Sequence, residues 1–223
     1  MAFSTEWEKI YSSSHHLSRW PWSSLVSLVH RHCAIHEGMK VLELGCGAGA
    51  NIPFFVSLKS DYHAVDGSGT VVAALNDEYK GNAMVDVKQG DFTSHISVFG
   101  GDFELIFDRG ALTHNSTAGI ESVLKQVYEA LKPGGIYIGV DWFSTSHSSL
   151  KRDRSEKIDD NTYVFSEGYF KDLGQVHFAD EKHLKDLFAK YDFLYLAEKE
   201  NNIKIPGPWR YNLWDFVVRK PAV

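Results

Sequence analysis

Short apolar runs alternate with helical ones along most of this chain, and that alternation constrains the fold more than any other feature. The runs "MKVLEL" (39–44), "DYHAVD" (61–66), "MVDVKQ" (84–89), "DFELIFD" (102–108) and "IYIGVDW" (136–142) are short and apolar and read as strands. The intervening "ANIPFFVSL", "TVVAALNDEY" and "STAGIESVLKQVYEALK" read as helices. The last is amphipathic, with Ile120, Leu124, Val127 and Leu131 on one face, and it stops at Lys132-Pro133-Gly134-Gly135. Strands alternating with helices predict a parallel sheet covered by helices on both faces. Ligands of such sheets sit outside the C-terminal strand ends.

The first strand runs straight into a glycine turn, "VLELGCGAGA" (41–50). Gly45, Gly47 and Gly49 let backbone approach another group closely, because glycine has no Cβ and accepts positive φ. Three readings fit: a dinucleotide phosphate site, a site for a nucleoside without phosphate, or a tight strand-to-helix turn. The glycines are spaced GxGxG, whereas a dinucleotide fingerprint is GxGxxG. Asp66 follows 17 residues after Gly49, at the end of the second strand. An acid there can accept both hydroxyls of a ribose.

Two segments flank this core. Residues 1–37 read as a helical leader, with Trp7, Ile10 and Tyr11 at helical spacing and a second helix over "PWSSLVSLVHRHC" (21–33). Pro21 suits the first turn of that second helix. Trp7 and Tyr11 make a candidate lid whose rings can cover a cation, and Arg19 a candidate clamp for a carboxylate. The remainder, 38–223, reads as one domain with an insert at about 143–179. Within the insert, "KRDRSEKIDD" carries four positive and four negative charges and reads as a solvated loop. "TYVFSEGYF" and "GQVHF" read as short extended pieces. A helix over "DEKHLKDLFAKY" and two strands, "DFLYLAEKE" and "YNLWDFVVR", complete the chain.

With 23 basic and 29 acidic residues the net charge is −6, which argues against a nucleic-acid backbone as partner. No apolar run approaches a membrane span, and the first residues lack the pattern of a signal peptide. Two cysteines, Cys33 and Cys46, fit reduced thiols. The expectation is a cytoplasmic protein.

From these residues the chain resembles the class I S-adenosylmethionine-dependent methyltransferases. "VLELGCGAG" looks like their first motif, with Glu43 as the acid two residues before the first glycine. Asp66 matches the ribose-binding acid, and "GDF" (90–92) the adenine-binding segment. "LIFDRGALTH" (105–114) matches the motif after strand four, and "LKPGG" (131–135) the turn before strand five. The terminal strands match the antiparallel addition that separates this fold from dehydrogenases. The resemblance implies a Rossmann-like, seven-stranded, mostly parallel sheet with helices on both faces and a terminal antiparallel hairpin. It implies S-adenosyl-L-methionine as cofactor and S-adenosyl-L-homocysteine as product. It carries cofactor binding onto Glu43, Gly45, Cys46, Gly47, Gly49, Asp66, Gly67, Asp91, Phe92, Asp108 and Arg109.

The methyl acceptor is not specified by these motifs. After strand four, Asp108-Arg109-Gly110-Ala111 departs from the pattern of enzymes that methylate amide or base amino nitrogens. "DRGAL" is locally similar to thiopurine-type S-methyltransferases. The expected partner is a small-molecule acceptor offering O, N, C or S, with no nucleic acid and no membrane, to a monomer or homodimer. Asp108 and Asp141 fall where metal-dependent relatives carry carboxylates, but Trp142 and Phe143 follow, so no metal is expected. His15 and His16 cannot share one helix face. His114, just past strand four, is the candidate general base. Trp20, Trp22, Trp142, His147 and Tyr163 are candidate walls of the acceptor pocket. The rival readings are an NAD(P)-dependent oxidoreductase and a non-catalytic cofactor-binding protein.

Overall fold

A computed structural model describes residues 5–12, 18–94 and 96–222. His15 and His16 lie outside the described residues. The elements are α1 (Thr5–Ser12), α2 (Ser23–His32), β1 (Lys40–Leu44), α3 (Ile52–Ser57), β2 (Asp61–Asp66), α4 (Gly69–Glu78), β3 (Val85–Gln89), β4 (Phe103–Arg109), α5 (Thr117–Ala130), β5 (Leu131–Phe143), α6 (Ser149–Arg152), β6 (Ser155–Lys157), β7 (Thr162–Phe165), β8 (Gln175–His177), α7 (Glu181–Leu187), β9 (Asp192–Ile203) and β10 (Trp209–Arg219). Seven strands form one sheet in the order β3-β2-β1-β4-β5-β10-β9, and β6-β7-β8 form a second, smaller one. The five leading strands are parallel, while β10 runs antiparallel to both β5 and β9. This is the expected Rossmann-like sheet with its antiparallel terminal hairpin.

Strand alternation divides the core into two layers. Leu42, Leu44, Ile106 and Tyr137 face α5 and α7, packing with Ile120, Val127, Leu184 and Phe188. Val41, Leu105, Phe107 and Ile138 face the other way, against Leu28 and Val29 of α2, Phe55 of α3 and Leu75 of α4. A third cluster joins Phe143 at the end of β5 to Phe165, Phe170, Val176 and Phe178 of the insert and Leu213 of β10.

Helix ends follow local chemistry. Ser116 caps α5 by accepting from Gly119 N, and Ser68 caps α4 by accepting from Val71 N. The sequence reading errs in three places. α2 begins at Ser23, so Pro21 precedes the helix instead of opening it. α5 ends at Ala130, because Leu131 already pairs with Phe103 of β4. The charged run 151–160 holds a short helix, α6, and a strand, β6, where a loop is expected. β6 pairs antiparallel with β7, and its side chains stay exposed, so the charges never oppose the pairing. Among the described residues, no helix is long and apolar enough to cross a membrane.

Candidate active site

The turn after β1 is built for close approach. Gly45 and Gly47 have φ of +70° and +50°. A Cβ at Gly45 would lie 2.5 Å from Ala111 Cβ, and one at Gly47 2.7 Å from Tyr11 Oη. Both glycines therefore serve conformation and space together. Gly45 N–H donates to Val65 O at 2.8 Å, which ties the turn to β2. Asp66, at the end of β2, accepts from Gly47 N at 2.8 Å and from Ser68 N at 2.9 Å. Burial pushes its carboxyl upward, and these backbone donors oppose the shift.

A cavity of about 370 Å³ opens above this turn, at the C-terminal ends of the parallel strands. Glu43, Gly45, Cys46, Gly47, Asp66, Gly67, Asp91 and Phe92 line one part of it. Glu43 is nearly fully buried, and Oε1 accepts from Asn51 Nδ2 at 2.8 Å while Oε2 accepts from the Tyr62 hydroxyl. Burial lifts its pKa to about 8 against those two donors. Asn51 Oδ1 also accepts from Trp22 N at 3.3 Å, so one amide links the buried acid to the start of α2. Asp91 Oδ1 accepts from Thr93 N and Oγ1 at 2.9 and 2.6 Å, which fixes the loop that presents Phe92.

Trp7, Tyr11, Trp22, Arg109, His114, Asp141, Phe143, Tyr169 and Tyr211 line the rest. α1 lies over the turn, held to α4 by a hydrogen bond from the Thr70 hydroxyl to Glu8. Trp7 packs edge-on against His114 at 4.9 Å. Arg109 Nε donates to Asp141 Oδ2 at 2.7 Å, and its guanidinium lies 3.7 Å over the Trp22 ring. Lys199 bridges Asp141 and Asp215 behind that pair. His114 Nδ1 donates to Gln175 O at 3.1 Å, leaving Nε2 without the proton in the neutral ring. Burial pushes the His114 pKa down to about 4.

The family model described as "Methyltransferase domain" matches residues 41–135, the span from β1 to the start of β5. Residues 41–135 therefore carry a methyltransferase domain, and the strand order around them is that of the class I S-adenosylmethionine-dependent fold. It is 32% identical over 114 residues to an uncharacterized methyltransferase of Synechocystis, covering 48% of this chain and 49% of that one. The matches span about half the length of the first curated relatives. A solved S-adenosylmethionine-dependent methyltransferase of Methanosarcina mazei superposes with a TM-score of 0.71 at 15% identity, covering 92% of this chain and 100% of that one. The 1,6-didemethyltoxoflavin-N1-methyltransferase of Burkholderia thailandensis, solved with 1,6-didemethyltoxoflavin and S-adenosylhomocysteine, gives 0.62 at 16% identity, covering 97% and 88%.

Several expected residues stand elsewhere in this structure. Asp108 is fully buried beneath the site, accepting from Ala111 N, Leu112 N, the Tyr137 hydroxyl and Trp142 Nε1, so it shapes the loop after β4 without reaching the cavity. Trp142, its partner, is a core side chain and not a pocket wall. Gly49 packs on Leu75 and Ile52 and does not line the cavity. Arg19 and Trp20 are exposed and outside it, Trp20 being 81% accessible. Tyr163 belongs to the insert's aromatic cluster, and His147 lines a different groove. Among the described residues, no group of three His, Cys, Asp or Glu is placed to hold a metal ion. Sequence reasoning missed Asn51, Phe143, Tyr169 and Tyr211. Asn51 carried a weak signal, being the first polar residue after the glycine turn. The two tyrosines carried none, because only the tertiary fold brings the insert and β10 to the strand ends.

Proposed function

We propose that this chain binds S-adenosyl-L-methionine in the cavity and transfers its methyl group to an O, N, C or S atom of a small molecule. The observation that carries this reading is the sign of the cavity's charge. Asp66, Asp91 and Asp141 line it together with Glu43, an acid that burial holds protonated until a cation approaches, and its one lining Lys or Arg side chain among the described residues, Arg109, is already paired with Asp141. Such a wall suits a cationic cofactor without phosphate and opposes the diphosphate of a nicotinamide dinucleotide. When bound, S-adenosylmethionine supplies a methyl carbon made electrophilic by a positively charged sulfur. Glu43 and the turn amides would face its amino-acid end, Asp66 its ribose hydroxyls, and Asp91 with Phe92 its adenine. Asp66 retains a second lone pair on each oxygen for this purpose. Trp7 and Tyr11 would cover the cation with ring faces.

The acceptor would sit among Trp22, Phe143, Tyr169 and Tyr211, which favour a small, flat, largely apolar molecule. Holding its nucleophilic atom in line with the methyl, at about 3 to 3.5 Å, supplies much of the acceleration without an acid or base. The nucleophile forms its bond to the methyl carbon as the sulfur takes the bond's electron pair. His114, neutral at pH 7, would orient an acceptor proton through Nε2.

The decisive experiment is a thermal-unfolding screen with S-adenosylmethionine, S-adenosylhomocysteine and NAD. A ligand at 100 times its Kd adds about 2.7 kcal/mol of stability, an easily read shift. Shifts with the first two compounds are expected, and a shift with NAD alone would overturn the reading. Release of S-adenosylhomocysteine in the presence of small phenols, thiols or amines separates a working enzyme from a non-catalytic binder.

A further inference from the structure

A second concavity, of about 580 Å³, lies between α6 and the β9–β10 hairpin. Lys151 and Arg152 line it from α6, Lys204 and Arg210 from the hairpin, and no carboxylate lines it among the described residues. None of these four cations forms an ion pair among the described residues, although the chain as a whole is acidic. Ser148 and Arg210 fasten the two sides to each other. Ser148 N donates to Arg210 O at 3.0 Å, and Arg210 N donates to Ser148 Oγ at 2.7 Å. Four like charges are therefore held around one groove, where they repel until an anion enters.

Exposed cations alone are ordinary solvated surface; His147 makes this groove different. It lines the same groove and is only 1% exposed. Its Nδ1 accepts from Ser149 N at 3.1 Å, so the neutral ring carries its proton on Nε2. That Nε2 is buried and has no hydrogen-bond partner among the described residues. A buried donor left unmade carries a desolvation cost, and an ion that completes its bond removes that cost. The His147 ring packs against Tyr211 at 5.2 Å and Tyr169 at 6.2 Å, both of which line the first cavity. One aromatic layer thus separates the two concavities.

We propose that this groove is a binding site for a phosphate-type oxyanion borne by a small soluble ligand, with Lys151, Arg152, Lys204 and Arg210 supplying charge and His147 Nε2 a neutral donor. Charged donors from α6 and from the hairpin, with a buried N–H on the wall, match an oxyanion with several acceptor oxygens. The site is distinct from the methyl-transfer cavity and stands whether or not that cavity's assignment holds.

Isothermal titration with inorganic phosphate and with pyrophosphate, at constant ionic strength in chloride, tests it. The wild-type chain is expected to show saturable one-site binding, weakened at least tenfold in the Arg152→Gln/Arg210→Gln double variant. Both arginines are exposed, and an unchanged unfolding midpoint without phosphate verifies the variant's fold. The His147 Nε2 resonance is expected to move on saturation. Absence of saturable binding, or equal affinity in the variant, would overturn the proposal. Co-sedimentation with phosphatidylglycerol vesicles but not phosphatidylcholine vesicles, without binding of free phosphate, would overturn it in favour of a lipid surface.

Discussion

At the scale of single residues, Glu43 shows how burial becomes chemistry. Two neutral donors hold it, Asn51 and Tyr62, and no cation does so among the described residues. Burial raises its pKa to about 8, so at pH 7 the folded chain keeps a proton that the unfolded chain has released. Its stabilising contribution is therefore complete below the unfolded value and is lost as pH rises toward 8. Compared with Glu43→Gln, the wild type is expected to lose up to about 1.4 kcal/mol of stability per pH unit between pH 5.5 and 7.5, read by urea unfolding. Binding of a cationic cofactor at pH 7 should expel that proton. Calorimetry in buffers of different ionisation enthalpy would detect the release in wild type and not in the variant. His114 has the opposite shift, to about 4, and protonates only as pH falls through that value. His114→Ala is expected to raise the acceptor KM while leaving the shape of the kcat profile between pH 6 and 8 unchanged. An inflection near 6.5 that vanishes with the substitution would restore it as a titrating base. The sequence marked Glu43 as the acid two residues before the first glycine of the turn. Its partner Tyr62 was not legible, because the pairing depends on the β1–β2 register that sets Tyr62 beside Val41.

Elements show a second kind of legibility. Alternation and amphipathic spacing located β1 to β5 and their helices, because each is specified by its own local pattern. Elements whose ends are set by neighbours were harder to read. Leu131 belongs to the helical stripe by periodicity but takes a strand position opposite Phe103. β6 has no apolar alternation of its own and exists because β7 offers it a partner. α1 depends on context in the same way: its eight residues are too few to hold a helix alone, so packing must stabilise it. That packing is over the glycine turn, where Tyr11 Oη lies 2.7 Å from the place a Gly47 Cβ would occupy. Removing residues 1–12 is therefore expected to leave the seven-stranded sheet folded and to weaken S-adenosylhomocysteine binding at least tenfold by calorimetry. Equal affinity in the truncated chain would remove α1 from the site.

On the scale of the whole molecule, two differently built halves meet at the cavity. One comes from the glycine turn and the ends of β1, β2 and β4, and most of it was readable from motifs. The other comes from the end of β5, the insert that follows it and the start of β10, far along the chain, which are joined by strand pairing, backbone hydrogen bonds and one shared aromatic cluster. Phe170 is central to that cluster, fully buried, with ring centroids 4.7 Å from Phe143, 5.3 Å from Phe165 and 5.4 Å from Phe178. Phe143 reaches from this cluster into the cavity wall, so packing in the insert is coupled to the acceptor side. Phe170→Ala is expected to cost about 3–5 kcal/mol, the range for emptying a buried phenyl site. The cost should be local, because the other two core layers share no member with this cluster. Hydrogen exchange followed by mass spectrometry should show faster exchange across β6, β7 and β8 with β1 to β4 still protected, and S-adenosylhomocysteine affinity within twofold of wild type. Uniform loss of protection across both sheets would mean that the two halves fold as one cooperative unit and that the acceptor wall cannot loosen by itself.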